Sequence, residues 1–359
     1  MADTHLAIIL GTRPEMIKLS PVIRVCEQRD ISYTLVHTGQ HYSDELDSVF
    51  FERLDLPEPE YHLDIGSGSH GEQTGKMLIG IEDVILTEDV EFVLVQGDTN
   101  SVLAGAIATS KLDAELGHIE AGLRSFDRNM PEEINRVVTD HVGDYLFAPT
   151  EETASLLRDE GVDESRIYVT GNTVVDAVQA YRQIAAEKSS VLDEHALSPG
   201  EFVLMTAHRA ENVDNPDRLT DLLAGIDRVA RELDHPVIYP IHPRTQDRLN
   251  EFDVTVPDAI RPVDPLDFLD FLRLEDTASL VITDSGGVQE ETCILQTPCV
   301  TVRDSTERPE TVAVGANVVV GTDPSDIANG ARKQLAESTD WEAPFGDGNA
   351  AERILDVIR

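Results

Sequence analysis

The chain has 359 residues, 41% of them hydrophobic and 27% charged, which is long enough for two domains with separate cores and too apolar for a disordered protein. Its 68 acidic and 28 basic residues leave a formal net charge of −40, which argues against nucleic acid and anionic membranes as partners. No apolar run reaches about 18 residues and the first residues carry no basic leader, so a cytoplasmic protein without a membrane span is expected.

Taken in chain order, short apolar runs at 6–10, 33–36, 92–95, 116–119 and 145–147 predict strands. Amphipathic stretches at 16–28, 70–86, 101–112 and 132–142 predict helices between them. Strands spaced by helices of this length form parallel βαβ units. A helix near 151–160 and a strand at 167–169 follow. The helix 174–188 then leads into a polar segment, 189–200, which ends in Ser198-Pro199-Gly200 and places the domain junction between Gly171 and Gly200. The second half repeats the theme, with strands near 202–206, 237–239, 280–283, 299–302 and 318–320. Its helices lie near 218–233, 267–274, 287–295 and 325–337, and a last helix, 350–358, is placed to cross back to the first domain. The expected fold is therefore α/β: two doubly wound, Rossmann-like domains. An N-terminal domain, 1–170, is joined by helix 350–359, and a C-terminal domain covers 171–349. In such folds ligands bind beyond the carboxyl ends of the strands, here in the interdomain cleft. Cys26, Cys293 and Cys299 are too few and too scattered for a disulfide framework and suit buried apolar positions.

The motifs fall at those strand ends. Gly11-Thr12-Arg13-Pro14-Glu15 turns strand one into a helix, with Arg13 and Lys18 near a helix N-terminus that favours an anion. It is not a GxGxxG fingerprint, so no dinucleotide is expected. Asp98 follows the strand 92–95 and reads equally as a functional carboxylate or a helix N-cap. Glu120 ends the strand 116–119, and Pro131-Glu132-Glu133 opens a helix, where acids also compensate the macrodipole. Three such acids gathered in one half separate into acid and base roles. In the second half His208-Arg209 follows a strand, as does His242-Pro243-Arg244. Asp284-Ser285-Gly286-Gly287 leads into a helix whose amides suit a diphosphate, and Glu291, one turn on, suits ribose hydroxyls. Arg124, Arg136, Arg244, Arg303 and Arg308 also lie in or beside these loops, as local positive charge for an anionic ligand.

Together, Gly11-Thr12-Arg13-Pro14-Glu15, Gln96-Gly97-Asp98-Thr99, Glu120-Ala121-Gly122-Leu123-Arg124, Pro131-Glu132-Glu133-Ile134-Asn135-Arg136, His208-Arg209-Ala210-Glu211-Asn212, Asp284-Ser285-Gly286-Gly287 and Glu307-Arg308-Pro309-Glu310 resemble the non-hydrolysing UDP-N-acetylglucosamine 2-epimerases, in order from about residue 6 to 315. The resemblance implies a glycosyltransferase-B-like fold and inversion of C2 without NAD or any other cofactor, and without a metal. It implies catalytic roles for Asp98, Glu120, Glu132 and His208. It also implies UDP contacts from Arg13, Lys18, Phe271, Ser285, Gly286, Gly287, Glu291 and Arg308, with uracil near Phe271 and ribose near Glu291. The implied partner is a UDP-sugar, and a homodimer is expected. One departure concerns the second, allosteric substrate site of bacterial members, with its Gln-His-x-x-Gln segment. Here the segment reads Gln40-His41-Tyr42-Ser43-Asp44, although Arg209 and His242 match other parts of that site, so little substrate activation is expected. The competing readings are a hydrolysing 2-epimerase, a glycosyltransferase of the same fold, a silent UDP-sugar sensor, and a 2-epimerase of UDP-2,3-diacetamido-2,3-dideoxyglucuronate.

The charge generates a prediction of its own. The basic residues include only five lysines, and runs such as Glu151-Glu152 and Asp159-Glu160 repel one another unless screened. The Debye length is about 10 Å at 0.1 M salt and about 3 Å at 1 M. A salt-adapted protein is expected, with a melting temperature and turnover that both rise from tens of millimolar to molar KCl. A melting temperature that stays flat or falls across that series contradicts it.

Overall fold

The computed structural model describes residues 5–40, 50–66 and 68–358. The chain forms two compact units, one of residues 1–177 with 345–359 and one of residues 178–344. The first break falls within the helix Thr173–Lys188, later than residue 170, and the return falls at Phe345.

The first unit is a seven-stranded sheet of β1 (Leu6–Leu10), β2 (Tyr33–His37), β3 (Tyr61–His62), β4 (Phe92–Gln96), β5 (Glu115–Ile119), β6 (Tyr145–Ala148) and β7 (Ile167–Val169). The order is β3-β2-β1-β4-β5-β6-β7, and every pairing is parallel. Parallel strands are covered on both faces and read as continuous apolar runs. Leu6–Leu10 is buried at every position, and Ile9, Val93 and Val95 pack with Met77, Ile81 and Val102 of the flanking helices. The terminal helix Ala350–Ile358 packs on Arg13–Gln28. Arg29 pairs with Asp356 at 2.6 Å, and the Ala350 and Ala351 amides donate to Asp176.

The second unit is a six-stranded parallel sheet of β8 (Val203–Thr206), β9 (Val237–Pro240), β10 (Ile260–Val263), β11 (Leu280–Thr283), β12 (Cys299–Thr301) and β13 (Asn317–Val319). Its order is β10-β9-β8-β11-β12-β13. The two sheets share the arrangement that reverses direction beside the first strand, so each unit has one switch point. It lies between β1 and β4 in the first unit and between β8 and β11 in the second. Loops leaving neighbouring strands diverge there and open a crevice at the strands' carboxyl ends.

Two edge strands escape the sequence reading. Tyr61–His62 is two residues long, and Ile260–Val263 contains Arg261 and Pro262, both exposed. Short edges carrying charge and proline are how sheets avoid pairing with other chains, and they carry no apolar run to detect. The three cysteines are buried and form no disulfide. No helix among the described residues is long and apolar enough to cross a membrane.

Gly122, just past Glu120, has φ +83°, and a Cβ there stands 2.4 Å from the Thr153 carbonyl oxygen. Gly161 has a similar φ, +87°, with open space around it. Gly161→Ala should therefore lose only the left-handed penalty, about 1 kcal/mol. Gly122→Ala should lose about 1–3 kcal/mol more from overpacking. Equal melting temperatures for the two variants contradict this packing.

Candidate active site

The switch point of the first unit is held by a buried acid. Glu15 lies in the first turn of the helix that follows β1, 2% exposed. It accepts from the Gly11 amide at 2.9 Å, the Thr12 hydroxyl at 2.9 Å and the Thr99 hydroxyl at 2.6 Å. The loop after β1 is thereby joined to the loop after β4. Burial pushes the Glu15 carboxyl up to about 7 against the pull of these donors. Arg13, beside it, is exposed, with its guanidinium 5.7 Å from the centre of the Phe50 ring.

The structure settles what Asp98 does locally. The N-cap of Asn100–Thr109 is Thr99, whose hydroxyl accepts from the Val102 amide, so Asp98 is not the cap. Its carboxylate instead accepts from Arg136 at 2.5 and 3.0 Å, and its carbonyl accepts from the Asn135 side chain at 2.8 Å. Glu120 sits at the end of β5 with φ +69°, a left-handed conformation rare outside glycine. Three donors converge on it: Lys18 at 2.6 Å and Asn172 at 3.0 Å on Oε1, and Gln96 at 2.6 Å on Oε2. Lys18, expected at UDP, is thus engaged with a carboxylate. Of the two glutamates opening the helix Pro131–Val142, Glu133 is structural. It accepts from the Ser125 and Phe126 amides at 2.8 and 3.1 Å, and these donors with Arg136 hold it below the ordinary range although burial opposes them. Glu132 is half-buried, and its carboxylate has no hydrogen bond or ion pair among the described residues.

Beneath these acids runs a brace that sequence reasoning missed. His118 places Nδ1 2.7 Å from Asp140 and Nε2 2.8 Å from the Gly97 carbonyl. Asp140 also accepts from the Gly122 amide at 3.2 Å and pairs with Arg124 at 2.7 Å. Burial alone raises the Asp140 carboxyl, but His118 and Arg124 hold it below its ordinary value. The brace joins the Gly97 turn beside Asp98, the Gly122 turn beside Glu120 and the helix bearing Glu132. Its signal was present only as His118 inside an otherwise apolar strand.

The second unit repeats the device. Asp284, fully buried after β11, accepts from the His208 amide at 3.0 Å, the Arg209 amide at 2.9 Å and the Asn212 side chain at 3.2 Å, which ties the loop after β8 to that after β11. The His208 ring lies 3.3 Å from the same carboxylate and is 42% exposed. Burial pushes the His208 pKa below its ordinary value; Asp284 opposes, and Arg209, His242 and Arg244 add to the lowering. Ser285 is the N-cap of Gly286–Leu295 and makes no side-chain cap bond, so its hydroxyl does not compete for the first-turn amides. The Cβ of an alanine at Gly286 or Gly287 meets no protein atom closer than 3.9 Å, so the described protein does not itself demand glycine there. A side chain would stand over those amides, where an anion binds.

Arg303, Arg308 and Arg244 of the second unit are paired with its own acids. Arg303 is 7% exposed and committed to Glu211 at 2.8 Å and Glu307 at 2.6 Å; these bonds hold Glu307 down at about 2. Arg308 pairs with Glu290 at 2.7 Å and stays 24% exposed, and Arg244 pairs with Asp214. Phe271 is half-buried against the core cluster that contains Leu274 and Val288. Gln40 accepts from Ser101 at 2.8 and 3.0 Å, whereas His41, Tyr42, Ser43 and Asp44 lie outside the described residues.

The first unit can therefore present carboxylates of different environments. The second presents a helix N-terminus flanked by an imidazole and a guanidinium. A profile described as UDP-N-acetylglucosamine 2-epimerase matches residues 24–359. A protein of that name from Methanocaldococcus jannaschii is 52% identical over 359 residues, covering 98% of each chain. UDP-2,3-diacetamido-2,3-dideoxy-D-glucuronate 2-epimerase of Pseudomonas aeruginosa is 42% identical over 354 residues, again covering 98% of each. Among solved structures, UDP-GlcNAc 2-epimerase from M. jannaschii superposes with a TM-score of 0.91 at 50% identity, covering 99% of both chains. A glycosyltransferase from Rickettsia africae, 11% identical and covering 99% of this chain and 94% of its own, reaches 0.59, a likeness of fold alone. The two parallel sheets with their helices are thus of the glycosyltransferase-B type, and the chain belongs to the UDP-N-acetylglucosamine 2-epimerase family.

Proposed function

We propose that this protein interconverts UDP-N-acetylglucosamine and UDP-N-acetylmannosamine by eliminating UDP and adding it back. The observation that carries the reading is full-length identity of 52% and 50% to two relatives of that name, supported by a solved relative, 52% identical, in complex with UDP-GlcNAc and UDP. A carboxylate takes the C2 proton while the C1–O bond breaks and its electron pair leaves with UDP, giving a 2-acetamidoglucal. The UDP oxygen then re-forms the bond at C1 as a proton reaches the opposite face of C2. Atoms and electrons balance without an outside oxidant.

The chemistry asks different things of the two units. Two faces of C2 need two proton-transfer groups, and Asp98, Glu120 and Glu132 supply three carboxylates. Glu120 is held by Lys18, Gln96 and Asn172, and Asp98 by Arg136, so both carboxylates are fixed in place. Glu132 has no such donor among the described residues, which leaves its carboxylate to exchange protons with the sugar. Charge grows on the departing diphosphate, and the Ser285–Gly287 amides, Arg308, Arg13 and His208 are the groups proposed to stabilise it. His208, held neutral by its surroundings, gains proton affinity when a dianion arrives.

A second reading keeps the reaction and changes the sugar, since the 42% identical P. aeruginosa protein is named for a diacetamido-glucuronate. One experiment covers both. In deuterated, salt-rich buffer with UDP-N-acetylglucosamine alone, NMR should show UDP-N-acetylmannosamine in equilibrium with the starting sugar, each carrying deuterium at C2. Free N-acetylmannosamine as the main product points to the hydrolysing reaction instead. Epimerisation with C2 hydrogen retained overturns the mechanism. Turnover confined to the diacetamido-glucuronate supports the second reading.

A further inference from the structure

One buried acid lies outside the machinery above. Glu275, in the last turn of Phe268–Thr277, is 0% exposed, and neither carboxyl oxygen receives a hydrogen bond from a protein N–H or O–H. The group within hydrogen-bonding reach is the carboxyl of Glu291, on the helix Gly286–Leu295 packed beside it. A fully buried carboxyl that faces another carboxyl and receives no donor on either oxygen is held neutral, so the hydrogen bond between the two has to be made by the proton Glu275 holds.

The surroundings offer no substitute. On the same helix Asp276 is ion-paired with Arg182 at 2.8 Å, and Asp270 accepts from Ser189 at 2.6 Å. On the packed elements Glu290 pairs with Arg308, Asp193 and Glu194 are exposed, and burial pushes the Cys299 thiol up to about 12, leaving it neutral. Among the described residues, Glu291 is the ionisable group that both meets and charges the Glu275 carboxyl.

We propose that Glu275 is a positioning residue for the nucleotide: it keeps one proton between its carboxyl and that of Glu291, fixing Glu291 so that its remaining lone pairs accept from the ribose hydroxyls. The role rests on the reading that Glu291 binds the ribose of UDP. It makes an uncharged Glu275 a condition of nucleotide binding. Burial, reinforced by the Glu291 charge, lifts the Glu275 carboxyl far above the ordinary carboxylate range. The sign follows. The proton is fully held at and below that ordinary range and is lost as pH rises through the raised value, so affinity for UDP falls toward alkaline pH.

The test is calorimetric titration of UDP and 2′-deoxy-UDP into the full chain in molar KCl, from about pH 6 to about pH 9.5. Three proteins are compared. Wild type should lose UDP affinity toward the alkaline end, on the order of tenfold for each unit past the pair's titration. Glu275→Gln keeps a donor that cannot ionise, so it should bind UDP at neutral pH and lack that added alkaline loss. Titration of His208 and of the nucleotide is common to both proteins and cancels in the comparison. Glu275→Met removes the donor and should weaken UDP about tenfold at neutral pH while 2′-deoxy-UDP changes little, so discrimination between the two nucleotides shrinks. Wild type and Glu275→Gln sharing one pH profile, or Glu275→Met discriminating as wild type does, overturns the role. Wild type failing to bind UDP at all overturns the nucleotide reading and this role with it, whereas UDP binding without the predicted differences overturns the role alone.

Discussion

A carboxylate buried where two strands of a parallel sheet diverge is the constraint on which both units depend. Glu15 in the first and Asp284 in the second each sit at the switch point and join the two loops that part there: Glu15 accepts from both loops, and Asp284, itself in the loop after β11, accepts from the loop after β8. Neighbouring parallel strands have no hydrogen bonds beyond their carboxyl ends, and loops leaving in opposite directions expose amides that need acceptors. One acid satisfies several of them and fixes the crevice in which Arg13 and Asp98, or His208 and Ser285, are presented. The clamps differ in their donors. Glu15 is served by one amide and two hydroxyls, and its carboxyl lies near neutral pH. Asp284 is served by two amides and a carboxamide, with the His208 ring beside it.

The same economy explains the cations. In a chain of net charge −40, arginine and lysine at the strand ends look from sequence like a reception for phosphate. The structure engages most of them with the protein's own acids: Lys18 with Glu120, Arg124 with Asp140, Arg136 with Asp98, Arg303 with Glu211 and Glu307. Acids gathered at a site would otherwise repel one another, and Arg124 and Arg303 hold Asp140 and Glu307 below their ordinary values. Positive charge is therefore taken up by the protein's own carboxylates, while the helix amides after Ser285 are left for an anion.

How much of this was legible follows from the range of each interaction. Fully buried parallel strands announce themselves as apolar runs, so both sheets could be drawn apart from β3 and β10, whose short polar edges carry no such signal. Residues that sit at a strand end, such as Asp98, Glu120, His208 and Ser285, stand out because local pattern places them there. Residues whose setting depends on a distant partner do not. Asp140 reads as an ordinary helix acid until His118, 22 positions earlier, is seen against it, and Glu275 reads as surface until Glu291 is found facing it. Ambiguity between cap and catalytic acid at Asp98 was likewise undecidable until Thr99 was seen to cap.

The central claim is that the first unit carries the proton chemistry and the second holds the nucleotide. Its most direct measurement is steady-state epimerisation by Asp98→Asn, Glu120→Gln and Glu132→Gln in molar KCl, with UDP dissociation constants measured on the same preparations. The account predicts that each variant loses about 10²-fold or more in kcat while still binding UDP within a few-fold of wild type. Near-normal turnover in all three, or loss of UDP binding in step with turnover, would contradict it.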